Sequence, residues 1–250
     1  MVQAFPGSVE AIVQQPDGKL LIGGAFTTYQ GDPHPDLVRV LSDGTVDPSF
    51  SLGSGFTDQV SALALAPNGD IYVAGFFEGF DGTSTGGLVR LNSDGSRDTS
   101  FSPGPTNFGG LAPVFAMQIQ SDGQLVVGGE FATVDSVAVG NIARLNTNGS
   151  LDTSFTAGTG ANGNVYGIAT QPDQKLIVTG EFTQFAGQQY ASLVRLGSNG
   201  TVDSSFAPSG IALGAQANRA AVQPNGKIVV VGNFESYLGS PNGIAQFNPN

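Results

Sequence analysis

A turn pair followed by an apolar run ending in glycine and phenylalanine occurs five times in this 250-residue chain. The turn pairs are Asp17-Gly18, Asn68-Gly69, Asp122-Gly123, Asp173-Gln174 and Asn225-Gly226, at intervals of 51, 54, 51 and 52 residues. The runs KLLIGGAF, DIYVAGFF, QLVVGGEF, KLIVTGEF and KIVVVGNF close on Phe26, Phe77, Phe131, Phe182 and Phe234. A fixed period of this size makes each copy one supersecondary unit whose apolar faces are buried by its neighbours. It overrides length, which by itself allows one domain or two.

Each unit reads as four short strands. In the first copy these are Val9–Gln14, Lys19–Gly24, Leu37–Val40 and a fourth strand that ends at Phe50. Asp-Gly and Asn-Gly between apolar runs predict two-residue type I′ hairpins, because that geometry needs positive φ at both turn positions. Asp173-Gln174 departs from the pattern. No segment holds a 3.6-residue period over ten residues, so helix is not expected. Runs such as KIVVV are apolar on both faces, which a sandwich with one wet face does not accommodate but sheets stacked around an axis do.

The expected fold is therefore all-β: a five-bladed β-propeller with four antiparallel strands per blade, one domain over residues 1–250. Its repeats run over about 9–58, 60–113, 114–164, 165–216, and 217–250 plus 1–5. The fifth copy stops after GIAQF without a fourth strand, while the chain opens on MVQAF, whose Phe5 aligns with the phenylalanine of DPSF and DTSF. Residues 1–5 are expected to complete the last blade and so remove two exposed sheet edges.

Arginine recurs on the third strand at Arg39, Arg90, Arg144 and Arg195, and aspartate eight residues later at Asp47, Asp98, Asp152 and Asp203. Across a short hairpin these pairs face each other, which predicts one structural ion pair per blade. In the fifth copy Gln246 replaces the arginine and Val2 aligns with the aspartate, so both charges vanish together. That is the pattern expected if a lone buried charge costs about 3–5 kcal/mol. Asp43, Asp94, Asn148 and Asn199 precede these aspartates by four residues, a spacing that raises calcium. No glutamate supplies a closing bidentate ligand, and asparagine replaces aspartate between copies, as turn chemistry allows. Phe50, Phe101, Phe155 and Phe206 are expected in the core, as are Tyr29, Phe80, Val134, Phe185 and Tyr237 at the loop bases.

With 9 basic and 20 acidic residues the formal net charge is −11, which argues against nucleic acid and anionic membrane surfaces as partners. No apolar run reaches the roughly 18 residues of a membrane span, so no membrane insertion is expected. The opening residues MVQAFPGSVE lack the basic and apolar regions of a signal peptide. Cysteine is absent, which excludes disulfides and thiolate chemistry.

The motif Q-P-D-G-K followed by the apolar run, then R-L-N-x-[DN]-G-[ST]-x-D-x-S-F, resembles the bacterial delta-60 repeat. QQPDGKLLIGGAF and RLNSDGSRDTSF carry the likeness, which spans essentially the whole chain. Gln174 and Gln246 depart from it. The resemblance implies a propeller of unknown function in larger bacterial proteins, extracellular or at the cell surface, with no known catalytic residues.

In an antiparallel unit one end is paved by the repeated Asp-Gly turns, and the other carries longer loops that differ between copies. Binding residues concentrate on variable loops held by a rigid scaffold. Phe56, Phe108 and Tyr190 break the repeat there, with His34 between Pro33 and Pro35, and these are the candidate ligand-binding residues. Aromatics on such loops stack on sugars or partner surfaces, or else tuck onto their own blade. A metal at His34 would need Asp32 and Asp36, and no metal or cofactor is expected. A nucleophilic triad would have to use His34, the one histidine. No pair stands out among the repeat-breaking acids Glu10, Asp32, Asp36, Asp58, Glu78, Asp81 and Asp135. The expectation is a non-catalytic module for a glycan or protein surface. The alternatives are a structural subunit of a virion or cell-surface assembly and, third, a glycosidase-like enzyme.

Overall fold

The computed structural model describes residues 7–103, 112–206, 215–234 and 243–249. Those residues are all-β and form five three-stranded antiparallel sheets, one per repeat, each in the order first–second–third strand. The first strands are Gly7–Gln14, Val60–Leu65, Val114–Ile119, Val165–Thr170 and Gln216–Val222. The second are Leu20–Phe26, Ile71–Gly75, Leu125–Gly129, Leu176–Gly180 and Ile228–Asn233. The third are Leu37–Val40, Leu88–Leu91, Ile142–Leu145, Leu193–Leu196 and Ile244–Phe247. Residues 1–5, expected to complete the last blade, lie outside the described residues, as does Tyr237.

In the first four repeats the expected fourth strand is reduced to one bridge each: Val40–Val46, Leu91–Arg97, Leu145–Leu151 and Leu196–Val202. The D-x-S that follows stops it. Asp47 Oδ1 accepts from both the Ser49 amide (2.9 Å) and the Ser49 hydroxyl (2.7 Å), an Asx turn that carries the chain away from the sheet. The same two bonds recur at Asp98, Asp152 and Asp203.

The turn geometry also differs from expectation. The Asp-Gly turns are three-residue loops: Gln15 N donates to Lys19 O (2.8 Å) around Pro16-Asp17-Gly18, and of the three only Gly18 has positive φ. This is a type I turn closed by one left-handed residue. Proline at the first loop position imposes φ near −65° and forbids type I′. Type I′ geometry sits instead on small hairpins between the second and third strands. There Gln30-Gly31, Asp81-Gly82, Asp135-Ser136 and Ala186-Gly187 each hold two successive positive φ values. Gln174 takes the left-handed position (φ 68°) that glycine fills in the other four loops. Gln174→Gly is expected to stabilise the protein by about 0.5–1 kcal/mol, read from the urea-unfolding midpoint.

The chain divides into two compact units, residues 1–114 with 147–150, and residues 115–146 with 151–250. In the first, Val73, Phe77, Phe80 and Leu91 form the heart of a core between two sheets. Val60 and Leu63 of the second repeat lie against Gly23 of the first, where an added Cβ would come within 2.7 Å of Val60 Cγ1. The second unit repeats the device, with Val165 and Ile168 against Gly128. Its cores gather Val178, Phe182 and Phe185, and then Phe206, Val230 and Phe247.

All four Arg–Asp pairs form. Nε of Arg39, Arg90, Arg144 and Arg195 donates to the Oδ2 of its aspartate at 2.7–2.9 Å. Nη2 reaches the serine of the D-x-S turn, and Nη1 donates to a main-chain carbonyl one repeat ahead: Ser93, Thr147, Ser198 and Pro249. Each guanidinium also lies over the phenylalanine ending its repeat, 4.4 Å from the Phe50 centroid in the first. One side chain thus closes its own hairpin and pins the next repeat. Gln246, in the arginine position of the fifth repeat, is exposed and bonds Gln223 Oε1 at 2.8 Å.

Candidate ligand-binding site on the bulged strands

The first strand of a repeat does not pair evenly with the second. The register shifts between Val9 and Ala11, Val60 and Ala62, Val165 and Gly167, and Ala217 and Arg219. Each shift is a β-bulge that leaves one extra residue: Glu10, Ser61, Tyr166 or Asn218. The opposing glycine admits it. A Cβ on Gly24, Gly75, Gly180 or Gly232 would fall 2.0–2.1 Å from a carbonyl oxygen of the first strand or the residue before it. Bulges re-aim a side chain and are frequent beside functional sites. The bulged position carries a different residue in each of these four copies, and Phe115 stands at the aligned position of the third.

Within the second unit two such residues meet. The rings of Phe115 and Tyr166 lie 5.4 Å apart at 46°, both half-buried. The Tyr166 hydroxyl donates to Glu181 Oε2 (3.0 Å) and accepts from Asn164 Nδ2 (3.2 Å). Arg219 donates to the main-chain carbonyls of Tyr166 and Asn218. Burial raises the Tyr166 pKa above its usual 10, the Asn164 bond opposes this, and Glu181 with Glu130 add to the rise. An aromatic floor with an acidic rim can stack on the apolar face of a sugar ring and accept hydrogen bonds from its polar edge. Phe115 and Tyr166 were legible as aromatics in an apolar column, but the bulge that aims Tyr166 was not.

The sequence-derived candidates are not brought together. Phe56 is a correction: it is 7% exposed and packs between Phe77 and Phe80, both 4.7 Å away, because its backbone bridges to Phe80. Tyr190 is half-buried against the core of the second unit. Phe108 lies outside the described residues. His34 is half-buried beside a cavity of about 210 Å³ that Pro33, Pro35, Phe50 and Leu52 also line. Among the described residues no three metal-ligating side chains gather, at His34 or elsewhere. Asp43 accepts from Thr45 and Asn148 from Ser150, so these turn oxygens serve their own loops.

One carboxylate pair does stand out, against the sequence reading. Burial, and then the charge of Asp58, push Asp36 up to about 6 against a hydrogen bond from the Phe26 amide. Asp36 holds a left-handed position (φ 65°) filled elsewhere by Gly87, Asn141, Ser192 and Gly243. Asn141 accepts there from Phe131 N and donates to Ala161 O (3.0 Å), a donation a carboxylate cannot make. A raised acid pKa costs stability as pH climbs through it. Asp36→Asn is therefore expected to stabilise by about 1 kcal/mol at pH 7.5, after allowing for solvent screening, and by only a small fraction of that at pH 4. Urea unfolding at the two pH values measures it; equal gains at both would refute the assignment.

A family model described as "Domain of unknown function (DUF5122) beta-propeller" matches residues 15–50, 66–101, 120–155, 171–206 and 223–250. No curated protein matches the chain. Among solved structures it is similar to the extracellular domain of a putative one component system from B. thetaiotaomicron. The identity is 18% and the TM-score 0.58, over 97% of this chain and 28% of that one. It is also similar to PorZ, a bacterial surface component of the type-IX secretion system of Porphyromonas gingivalis: 14% identity, TM-score 0.53, 96% and 32% covered. A third is a catalytically inactive virginiamycin B lyase from Staphylococcus aureus with quinupristin: 12% identity, TM-score 0.55, 99% and 73% covered. The chain spans 27–32% of the length of the first four such structures. At these identities the likeness shows the fold alone: a β-propeller, with five repeats for five blades.

Proposed function

The chain belongs to the DUF5122 β-propeller family, and on that premise we propose that it is a non-catalytic, extracellular binding module that recognises a glycan. The Phe115–Tyr166 pair carries this reading. It is half-exposed, with Tyr166 held at a bulge and bordered by Glu181 and Asn164, which already orient that ring. Similar structures that are extracellular or surface components support the compartment. The net charge of −11 disfavours a polyanionic ligand.

A glycan array with the whole chain tests it. Phe115→Ala with Tyr166→Ala is expected to weaken any hit at least about tenfold, since an aromatic contact contributes roughly 0.5–1.5 kcal/mol beyond its area. Tyr190→Ala is expected to leave binding unchanged. A silent array, or turnover of any arrayed glycan by the wild type, would count against the reading.

A further inference from the structure

The residue after the last glycine of the second strand is Ala25, Phe76 and Asn233 in the first, second and fifth repeats. In the third and fourth it is Glu130 and Glu181, both exposed. These are also the two repeats with an aromatic at the position aligned with the bulges, Phe115 and Tyr166. Aromatic and carboxylate thus arrive together, twice, and are uncoupled elsewhere: Glu10 in the first repeat is opposite a strand ending in Gly24-Ala25-Phe26.

We propose that this site takes a protonated amino sugar, a glycan with free amino groups, in preference to its neutral N-acetylated counterpart. This rests on the glycan-binding reading above. An ammonium over an aromatic face is attracted by the ring quadrupole, and a carboxylate at the rim adds a charge-assisted hydrogen bond. Tyr166 occupies only part of the acceptor capacity of Glu181, through Oε2. Arg219 brings one positive charge, directed at the carbonyls of Tyr166 and Asn218. Two carboxylates against one guanidinium leave the site net negative. A neutral acetamide gains from the rings but not from the charge.

Calorimetric titration with a glucosamine tetramer and an N-acetylglucosamine tetramer, at a pH where the free amines are protonated, tests this. The charged tetramer is expected to bind at least about tenfold more tightly, with a preference that shrinks as salt is raised. Glu130→Gln with Glu181→Gln is expected to abolish the preference while leaving the melting temperature unchanged, since both side chains are exposed. Equal binding of the two tetramers, no binding of the charged one, or a preference that survives the double glutamine variant overturns the inference. The two readings separate at Phe115→Ala with Tyr166→Ala. Loss of the neutral tetramer there keeps the glycan site even if charge selection fails, whereas unchanged binding removes both.

Discussion

Arg144→Ala is expected to lower the melting temperature by about 10 °C. Breaking a buried ion pair from one side costs about 3–5 kcal/mol, and each kcal/mol moves a domain of this size by about 2–4 °C. The Arg144 side chain is 10% exposed and that of Asp152 11%. The substitution removes the Nε bond to Asp152 (2.7 Å), the bonds to Gln120 (3.1 Å) and Ser154, and the contact over Phe155. It also removes the bond to the Ser198 carbonyl, which ties the third repeat to the fourth. Gln246→Ala, at the aligned position of the fifth repeat, is expected to cost under about 1 kcal/mol because its amide is exposed. If the two variants melt alike, the arginines do not latch one repeat to the next.

The same pair predicts an acid limb. Burial pushes Asp152 up, but bonds from Ser154, Arg144 and Gln124 outweigh it and leave the pKa at about 2. Asp47 and Asp203 are likewise held low, and Asp98 is shifted in the same direction. A depressed carboxylate contributes stability that is complete above its unfolded value, near 4, and is lost as pH falls through the folded value. Melting temperatures are expected to fall between about pH 4 and pH 2, and less steeply in Arg144→Ala, where one lowering partner is gone.

Gly180→Ala is expected to cost about 3 kcal/mol and to remove ligand binding with it. The new Cβ would lie 2.0 Å from the Asn164 carbonyl oxygen, far inside van der Waals contact, and the obstacle is main chain. That carbonyl accepts from the Glu181 amide (2.8 Å), so the strand end must open at the point where the Tyr166 bulge begins. Hydrogen exchange gives the local readout: the Glu181 amide should lose protection first. Full protection there, together with a wild-type melting temperature, would show that the bulge does not need its glycine.

Much of this molecule was legible in its residues. Apolar runs between turn formers located the strands, and the joint loss of arginine and aspartate in the fifth copy marked the ion pairs. What stayed hidden was set by backbone meeting backbone. Pro16 and Asp17-Gly18 point to different turns, and the folded backbone decides between them by turning only Gly18 left-handed. Phe56 resembled a loop aromatic because its burial depends on Phe77 and Phe80, more than twenty residues away. Nothing in the sequence joins Asp36 to Asp58, since neither their shared position nor the burial of Asp36 has a local signature.

Local chemistry along the chain determined the repeat, the strands and the arginine–aspartate hairpins, because those depend on neighbours within one copy. Tertiary structure decided where each first strand bulges, which residue that bulge exposes and what stands beside it. A bulge is a compromise between two strands and a glycine, so the meeting of Phe115, Tyr166 and Glu181 exists only once the sheets are assembled.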